Sequence, residues 1–243
     1  MRCIALIPIY KPRFDEDEER NIRVSLENLK DQDCVVSWLA PNRIEKSYYD
    51  STYPGVAWSF HEDRYFRSIQ DYSRLLLTDS FYETYYNHEF MLILQPDAIV
   101  LKPTLNEWLD KPYDYVGAPW PKGWEYPLPI RLGDKVESVP CRAFVGNGGL
   151  SLRRSRKIVE LLQEFPEARA AWVEIGNPED LLISMLATLS GSLIIPTIGA
   201  AARFSVELES DFLSNILKQD LPFGRHGKGL ESDKNGMRFK TND

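Results

Sequence analysis

The stretch FMLILQPDAIVL, residues 90–101, is a nearly continuous apolar run that contains one carboxylate, Asp97. A short apolar run bounded by turn-forming residues is typical of a β-strand that is covered on both faces of a parallel sheet. Pro96 cannot donate a hydrogen bond to a neighbouring strand, so we expect the strand to end near Gln95. The chain would then turn outward and carry Asp97 to the rim of a cleft.

Two shorter apolar runs precede this stretch, CIALIPIY at residues 3–10 and CVVSWLA at residues 34–40. Between them, Asp15 is a suitable N-cap for a helix whose apolar residues recur every three to four positions. A second helical pattern fills residues 64–87. Strand, helix, strand, helix and strand in this order predict an α/β fold with a largely parallel sheet flanked by helices.

The second half of the chain is less regular. Residues 115–130, YVGAPWPKGWEYPLPI, are rich in proline and predict a loop. Residues 143–153, AFVGNGGLSLR, predict a strand, a glycine turn and a second strand. Helices are expected over residues 154–165 and from Pro178 to about residue 190, followed by a strand at residues 192–196.

Composition excludes several classes of protein. Hydrophobic residues make up 43% and charged residues 27% of the 243-residue chain, as in an ordinary globular protein. The formal net charge of -7 excludes a broad basic surface, so we expect no nucleic-acid partner. Cys3, Cys34 and Cys141 are too dispersed for a disulfide framework or a zinc cluster. No apolar run approaches the roughly 20 residues of a transmembrane helix, so the default expectation is a cytoplasmic location.

Beyond Asp97, three motifs place polar groups or flexible backbone at the ends of predicted elements. VGNGGLSLRR, residues 145–154, has three glycines that let the backbone approach a ligand. The NPED motif places Glu179 and Asp180 at the positive start of a helix. His226 lies in a glycine-flanked loop, where an imidazole can bind a metal or act as a base. Each motif also has an ordinary structural explanation, such as a turn cap, a tight turn or a helix start.

Taken in order, the blocks IPIYKP, LQPDA, GAPWP, VGNGGLSLR, NPEDLLIS, ARFSVE and LPFGRHG resemble a bacterial family. The family is catalogued as a domain of unknown function and is assigned to glycosyltransferase-like proteins with the GT-A fold. The resemblance covers about residues 4–228, and the order of the blocks is more specific than any one of them. It implies a GT-A-like single domain with a Rossmann-like nucleotide-binding half and an acceptor half. We expect this domain at residues 1–230 and a polar C-terminal tail at residues 231–243.

The resemblance also implies a divalent metal, Mn²⁺ or Mg²⁺, that stabilises the diphosphate leaving group of a nucleotide sugar. LQPDA takes the place of the Asp-x-Asp motif of GT-A enzymes, with Gln95 where the first carboxylate would be. Asp97 is therefore the expected carboxylate ligand. His226 resembles the histidine near the C-terminus that often completes the metal shell in these enzymes.

The general base is assigned by resemblance to inverting GT-A enzymes, in which it lies at a helix start after a glycine-rich strand. Asp180 is the expected base, and Glu179 is the alternative. The base would remove the proton of the acceptor hydroxyl as that oxygen attacks the sugar.

The remaining contacts follow from less specific motifs of the same family. Donor-binding residues are expected to be Tyr10, Lys11, Arg74, Gln95, Asp97, Gly148 and Gly149, and the acceptor-binding residue is expected to be Trp120. Arg74 and Trp120 have equally good structural explanations, as a helix-surface ion pair and as an anchor of the core.

These assignments predict a hexosyltransferase-like enzyme that moves a sugar from a nucleoside diphosphate to a glycan or glycolipid acceptor. Peripheral contact with a membrane would follow if the acceptor is lipid-linked. The alternative, motivated by Gln95, is an inactive sugar-nucleotide-binding or scaffold protein of the same fold. A nucleotidyltransferase is disfavoured, since IPIYKPRF lacks the glycine-rich basic loop such an enzyme needs after its first strand.

Overall fold

The computed structural model describes residues 1–207, 211–218 and 220–227, whose centre is a mixed six-stranded sheet. The strands are β1 Cys3–Pro8, β2 Cys34–Pro41, β3 Ala57–His61, β4 Phe90–Leu94, β5 Ile99–Val100, β6 Tyr115–Leu132, β7 Lys135–Arg154, β8 Ser205–Val206 and β9 Gly224–Arg225. The large sheet has the order β3-β2-β1-β4-β7-β6, and β5, β9 and β8 form a small second sheet. Strands β1 to β4 are parallel, whereas β7 runs antiparallel to both β4 and β6.

Helices cover both faces of the large sheet. They are α1 Glu16–Leu29, α2 Ser47–Thr52, α3 Ile69–Leu75, α4 Asp79–Glu83, α5 Leu105–Leu109, α6 Ser155–Glu164, α7 Pro166–Ile175, α8 Glu179–Ser190, α9 Ile198–Phe204 and α10 Asp211–Leu217, with a 3-10 helix at Asp63–Phe66. Successive residues of a strand point to opposite faces. Accordingly, Ile4 and Leu6 of β1 pack with α3, α4, α6, α7 and α8, whereas Cys3, Ala5 and Ile7 pack with α1, α2, α5 and α9.

The prediction of a loop at residues 115–130 is wrong, because β6 spans them as an edge strand paired with β7. An edge strand leaves one row of backbone groups without a neighbour, so it accommodates prolines that a central strand would exclude. The register shifts between Val116 and Trp124, where Pro119 and Pro121 lie. The prolines of this segment therefore indicate an irregular edge strand and not a loop.

Two further sequence predictions in this half are also wrong. No turn interrupts residues 143–153, because β7 continues through its glycines. Residues 192–196 are not a strand. Instead, Ile194 forms hydrogen bonds with Asp114, donating to its carboxylate at 2.8 Å and accepting from its backbone N–H at 2.8 Å. The sequence patterns did not predict β3 or α7. In β3 the apolar signal is weak because the strand is short, half-exposed and at the edge of the sheet.

The small sheet brings the C-terminal segment to the end of β4. Strand β9 pairs antiparallel with β5 and parallel with β8, so that Arg225 lies opposite both Ile99 and Val206. Asp97 lies two residues before β5, and His226 directly follows β9. The pairing of β5 with β9 therefore places Asp97 and His226 side by side.

No helix among the described residues is long and apolar enough to cross a membrane. The polar tail expected at residues 231–243 lies outside the described residues. The boundary of the single domain at residue 230 stays a prediction.

We expect Asp15→Ala to lower the free energy of unfolding by about 1 kcal/mol. The Asp15 carboxylate accepts the N–H of Glu18, and the Glu18 carboxylate accepts the N–H of Asp15, each at 3.0 Å, so the substitution removes half of a capping box. Urea unfolding followed by circular dichroism measures the change. Asp17→Ala is the control, since its carboxylate pairs with exposed Arg20 in the same helix and takes no part in the capping box. An equal loss in both variants would contradict the capping role.

Candidate active site

The turn after β4 lifts Asp97 out of the core. The Gln95 N–H donates to the Gly149 carbonyl at 2.9 Å, which extends the pairing of β4 with β7 by one residue. The Ala98 N–H then donates to the Gln95 carbonyl at 2.9 Å and closes a turn around Pro96 and Asp97. The Asp97 side chain is 31% exposed. It therefore lies at the carboxyl end of a parallel strand, where α/β proteins bind their ligands.

His226 meets this turn from the C-terminal segment. Its Nε2 lies 3.0 Å from the Gln95 Oε1 and 3.4 Å from the Asp97 Oδ1. Its backbone N–H donates to the Val206 carbonyl at 3.1 Å, which fixes the segment beside β8. The structure thus brings Gln95, Asp97 and His226 together, as their proposed common role requires.

Glu207 is a residue of this cluster that the sequence motifs missed. One of its carboxylate oxygens accepts from the Asn147 Nδ2 at 2.7 Å. The other lies 3.1 Å from the His226 Nδ1, at ion-pair distance but without the alignment of a hydrogen bond. Glu207 therefore connects β7 with the histidine segment. The family block ARFSVE contained it, but a single glutamate after a two-residue strand forms no recognisable motif.

Two carboxylates flank the His226 ring and control its protonation. Burial by itself would lower the pKa of His226, but the adjacent carboxylates of Asp97 and Glu207 outweigh burial and raise this pKa to about 9. This pKa favours the protonated ring at neutral pH, so a divalent ion that binds Nε2 would have to displace the proton on that nitrogen.

Gly148 and Gly149 form a floor beneath this cluster because neither has a β-carbon. A Cβ on Gly149 would lie 2.1 Å from the His226 Nε2, well inside van der Waals contact. A Cβ on Gly148 would lie 3.0 Å from the Cβ of Asp180 and 3.1 Å from a guanidinium nitrogen of Arg153. The glycines thus serve the close approach of neighbouring side chains within a continuous strand.

Asp180 lies in the first turn of α8, directly against this floor. Its Oδ2 accepts the Gly148 N–H at 2.7 Å, and its Oδ1 accepts the Leu181 N–H at 2.7 Å. Burial and the neighbouring charge of Glu179 raise the pKa of Asp180 to about 7, against the opposing effect of these hydrogen bonds. A carboxylate with such a pKa exchanges protons readily at physiological pH.

Glu179, the alternative base, has both carboxylate oxygens engaged below the floor. Its Oε1 accepts from Arg153 at 2.9 Å, and its Oε2 accepts from the Ser73 hydroxyl at 3.1 Å. The side chain is buried. Asp180 also accepts hydrogen bonds at both oxygens, but it is only half-buried, so it is better placed than Glu179 to meet a substrate.

Tyr10 and Lys11 line a second part of the same sheet edge. They follow β1 and border a cleft of about 460 Å³ together with Arg43, Phe66 and Arg67. Tyr10 is 63% exposed, whereas the Lys11 ammonium pairs with Glu18. The carboxyl ends of β1 and β2 are the usual site of a nucleotide in Rossmann-like halves.

Arg74 and Trp120 have the structural roles that the sequence left open, a helix-surface ion pair and a core anchor. Arg74 pairs with Asp71 on its own helix at 2.8 Å. Trp120 is only 5% exposed and packs in the apolar core, so its ring is not presented to a ligand. Trp124, four residues later on β6, is 52% exposed instead. The acceptor assignment of Trp120 has no support from this placement.

Three donor atoms could hold a divalent ion at the turn. The His226 Nε2 lies 3.0 Å and 3.4 Å from oxygens of Gln95 and Asp97, close to the spacing of roughly 3 Å between adjacent ligands of an octahedral ion with bonds of about 2.1 Å. Within the described residues, no cluster of three or more histidine, cysteine, aspartate or glutamate side chains is arranged to hold a metal. The amide oxygen of Gln95 would therefore have to serve as the third ligand.

The sequence profile of a family described as "Protein of unknown function (DUF5672)" matches residues 55–226. No curated protein sequence matches the chain. Mouse xyloside xylosyltransferase 1, in its apo form, has a similar structure with a TM-score of 0.55 and 11% identity, over 92% of this chain and 96% of that one.

Two structures of LgtC are similar to the same extent. An active-site mutant has a TM-score of 0.57 and 16% identity, over 93% of this chain and 87% of that one. The galactosyltransferase LgtC in complex with donor and acceptor sugar analogues has a TM-score of 0.57 and 13% identity, over the same shares. At these identities the similarity concerns the fold, and it confirms the predicted GT-A-like α/β fold.

We expect Gly149→Ala to displace the His226 ring and to lower the free energy of unfolding by about 1–3 kcal/mol, since the new methyl group overlaps the imidazole. Urea unfolding measures the loss, and NMR of the histidine ring reports the displacement. The control is Gly199→Ala in α9, where a Cβ meets only ordinary contacts and improves helix propensity by up to about 1 kcal/mol. Unchanged stability and histidine signals in Gly149→Ala would contradict the close approach.

Proposed function

The chain belongs to the DUF5672 family, and we propose that it is a glycosyltransferase that moves a sugar from a nucleoside diphosphate to a hydroxyl of a glycan or glycolipid acceptor. One observation carries this proposal. Asp97, His226 and Asp180 converge on the Gly148–Gly149 floor at the carboxyl end of the sheet. The similarity in fold to solved glycosyltransferases supports the same conclusion.

The turn cluster suits a departing diphosphate. Cleavage of the bond between sugar and diphosphate leaves negative charge on the leaving group, which a fixed cation stabilises as it develops. Asp97 and His226, with the Gln95 amide oxygen, would hold Mn²⁺ or Mg²⁺. When bound, the ion would supply positive charge next to the phosphates. Glu207 would orient the histidine ring from its other side, as carboxylates commonly do for metal-binding histidines.

The cleft beside β1 suits the nucleoside. Tyr10 offers an exposed aromatic ring for a base, and the cationic side chains of Lys11, Arg43 and Arg67 border the same cleft. The sugar would extend from there across the sheet edge to the glycine floor. Backbone without β-carbons lets a pyranose ring lie close to β7.

Asp180 would act on the acceptor. Its hydrogen bonds from Gly148 and Leu181 fix the carboxylate at the floor, and its raised pKa lets it accept a proton near neutral pH. A base in this position would deprotonate the hydroxyl as it attacks the anomeric carbon from the face opposite the leaving group. The product would then have the inverted configuration.

A second function has one observation in its favour. Gln95 stands at the position of a metal-binding carboxylate, so the chain could bind a sugar nucleotide without transferring the sugar. Calorimetry with UDP and GDP, each with and without Mn²⁺, separates the two functions. Binding that is indifferent to Mn²⁺, together with no release of nucleoside diphosphate from UDP-sugars or GDP-sugars, would favour the binding protein.

We expect Asp97→Asn and Asp180→Asn to abolish sugar transfer by different routes. Asp97→Asn removes the carboxylate charge from the cation site, so Mn²⁺-dependent nucleotide binding should weaken. Asp180→Asn removes the base, so transfer should fall by about 10²–10⁴ while nucleotide binding persists. Asp17→Asn, on the exposed face of α1, serves as the control. Full transfer by either site variant would refute its assigned role.

The configuration of the product tests the role of Asp180 separately. NMR of the first product formed, before any mutarotation, identifies the anomer. Inversion is expected if Asp180 acts as a base toward the acceptor. Retention would contradict that role while leaving the donor site intact.

The pH dependence of transfer has a defined sign. Because the base works only when it is deprotonated, and the pKa of Asp180 is about 7, kcat should rise with pH up to about 7 and level off above it. The measurement uses saturating Mn²⁺, so that ligand protonation does not limit the rate. A rate that stays constant between about pH 5.5 and pH 8.5 would argue against Asp180 as the base.

A further inference from the structure

Arg153 is a fully buried cation directly beneath the glycine floor. Its three guanidinium nitrogens donate to three partners: Nε to the Ser151 hydroxyl at 3.0 Å, Nη1 to the Tyr82 hydroxyl at 3.1 Å, and Nη2 to the Glu179 Oε1 at 2.9 Å. The guanidinium also lies over the Tyr115 ring, 5.4 Å from its centroid. A buried charge with this many partners is a defined part of the structure.

We propose that the buried Arg153–Glu179 pair is a positioning device for Asp180, which anchors the start of α8 to β7 and keeps a negative charge next to the Asp180 carboxylate. This inference rests on the proposed role of Asp180. It gives Glu179 a part in the reaction that does not require contact with substrate.

The positions of the two acidic residues support this division. Glu179 and Asp180 are adjacent in the first turn of α8, so their side chains point in different directions. Glu179 reaches down to Arg153 on β7 and to Ser73 on α3, whereas Asp180 reaches the Gly148 N–H. The helix start is therefore tied to β7 at two points, through Glu179 to Arg153 and through Asp180 to Gly148.

Gly148 makes this double attachment sterically feasible. A Cβ at this position would lie 3.1 Å from the Arg153 Nη2 and 3.2 Å from the Asp180 Oδ2. The same missing atom thus makes room for the cation from below and for the carboxylate from α8. With a β-carbon at this position, the side chains of Arg153 and Asp180 would have to shift by a few tenths of an ångström.

The charges that face Asp180 act in opposite directions. Glu179, on the same helix, raises the pKa of Asp180, whereas Arg153 and the backbone N–H groups of Gly148 and Leu181 lower it. From β6, the Tyr115 hydroxyl is neutral because burial raises its pKa well above the ordinary value. Removal of Glu179 leaves burial, the largest cause of the raised pKa of Asp180, in place, but it takes away the charge that adds to burial. The Asp180 titration midpoint should then fall.

Glu179→Gln tests this directly, because it keeps the shape of the side chain and removes the charge. The ¹³C NMR signal of the Asp180 carboxyl is followed from acid to alkaline pH in the substrate-free protein, and it is identified by its loss in Asp180→Asn. We expect a midpoint of about 7 in the wild type and a lower one in Glu179→Gln. Ser73→Ala is the matched control, since it removes one hydrogen bond to Glu179 but no charge, and its midpoint should equal that of the wild type.

An unpaired Arg153 could prevent Glu179→Gln from folding, so the double variant Arg153→Met with Glu179→Gln removes both charges together. Its midpoint should lie between those of the wild type and Glu179→Gln, because Glu179 has the larger influence on Asp180. An Asp180 midpoint equal to that of the wild type, in whichever of these variants folds, would overturn the proposal.

Kinetics provide a second readout. For a base with a pKa of about 7, the rate at pH 6 is roughly one tenth of that at pH 8, and this ratio should rise toward one in Glu179→Gln. Arg153→Lys keeps the charge but loses the planar fork, so it should lower kcat without changing the KM of the donor. The NMR titration needs no substrate. A failure of the proposed transfer reaction would therefore leave the positioning inference open to its own test.

Discussion

The site depends on the space that two absent β-carbons leave in β7. Gly149 admits the His226 ring and Gly148 admits Asp180, so two side chains from distant parts of the chain approach the same strand closely. The glycines remain within β7, where the Gly149 carbonyl accepts the Gln95 N–H, and the pairing of β7 with β6 shifts register beside them, between Leu152 and Asn147. A rigid floor of this kind keeps its polar neighbours in place at no cost in loop ordering. The rest of the proposed chemistry follows from what borders that floor.

Charge is divided across the floor in two separate networks. On the β4 side, a protonated His226 lies between the carboxylates of Asp97 and Glu207. On the α8 side, the buried Arg153 balances Glu179, and Asp180 is left with two backbone donors and a raised pKa. In glycosyl transfer the leaving group needs positive charge and the acceptor needs a proton acceptor. The two networks offer these two environments on opposite sides of the same two glycines.

Sequence reasoning predicted the parallel strands β1, β2 and β4 and the turn at Asp97, because apolar runs and a proline report directly on local structure. It failed for β6, where the edge position of the strand overrode the proline signal. For Trp120 it left open whether the ring anchors the core, because burial of that ring depends on packing across the sheet. The sequence motifs missed Glu207, and they did not predict the ion pair of Glu179, for a related reason. Their roles come from Arg153, Asn147 and His226, partners between 19 and 60 residues away that no short motif contains.

Glu207 offers a carboxylate near His226, although Gln95 stands where GT-A enzymes have the first carboxylate of their motif. A neutral amide in the turn lowers the negative charge at the Nε2 side of His226, but Glu207 supplies a second carboxylate at the Nδ1 side. The His226 ring thus has two carboxylates beside it, Asp97 on the side of the turn and Glu207 on the opposite side. A carboxylate that acts through an imidazole still increases the basicity of the ring nitrogen on its far side. Once a divalent ion has displaced the Nε2 proton, Glu207 would therefore favour the bound cation through the ring, an effect that a neutral Gln95 does not supply.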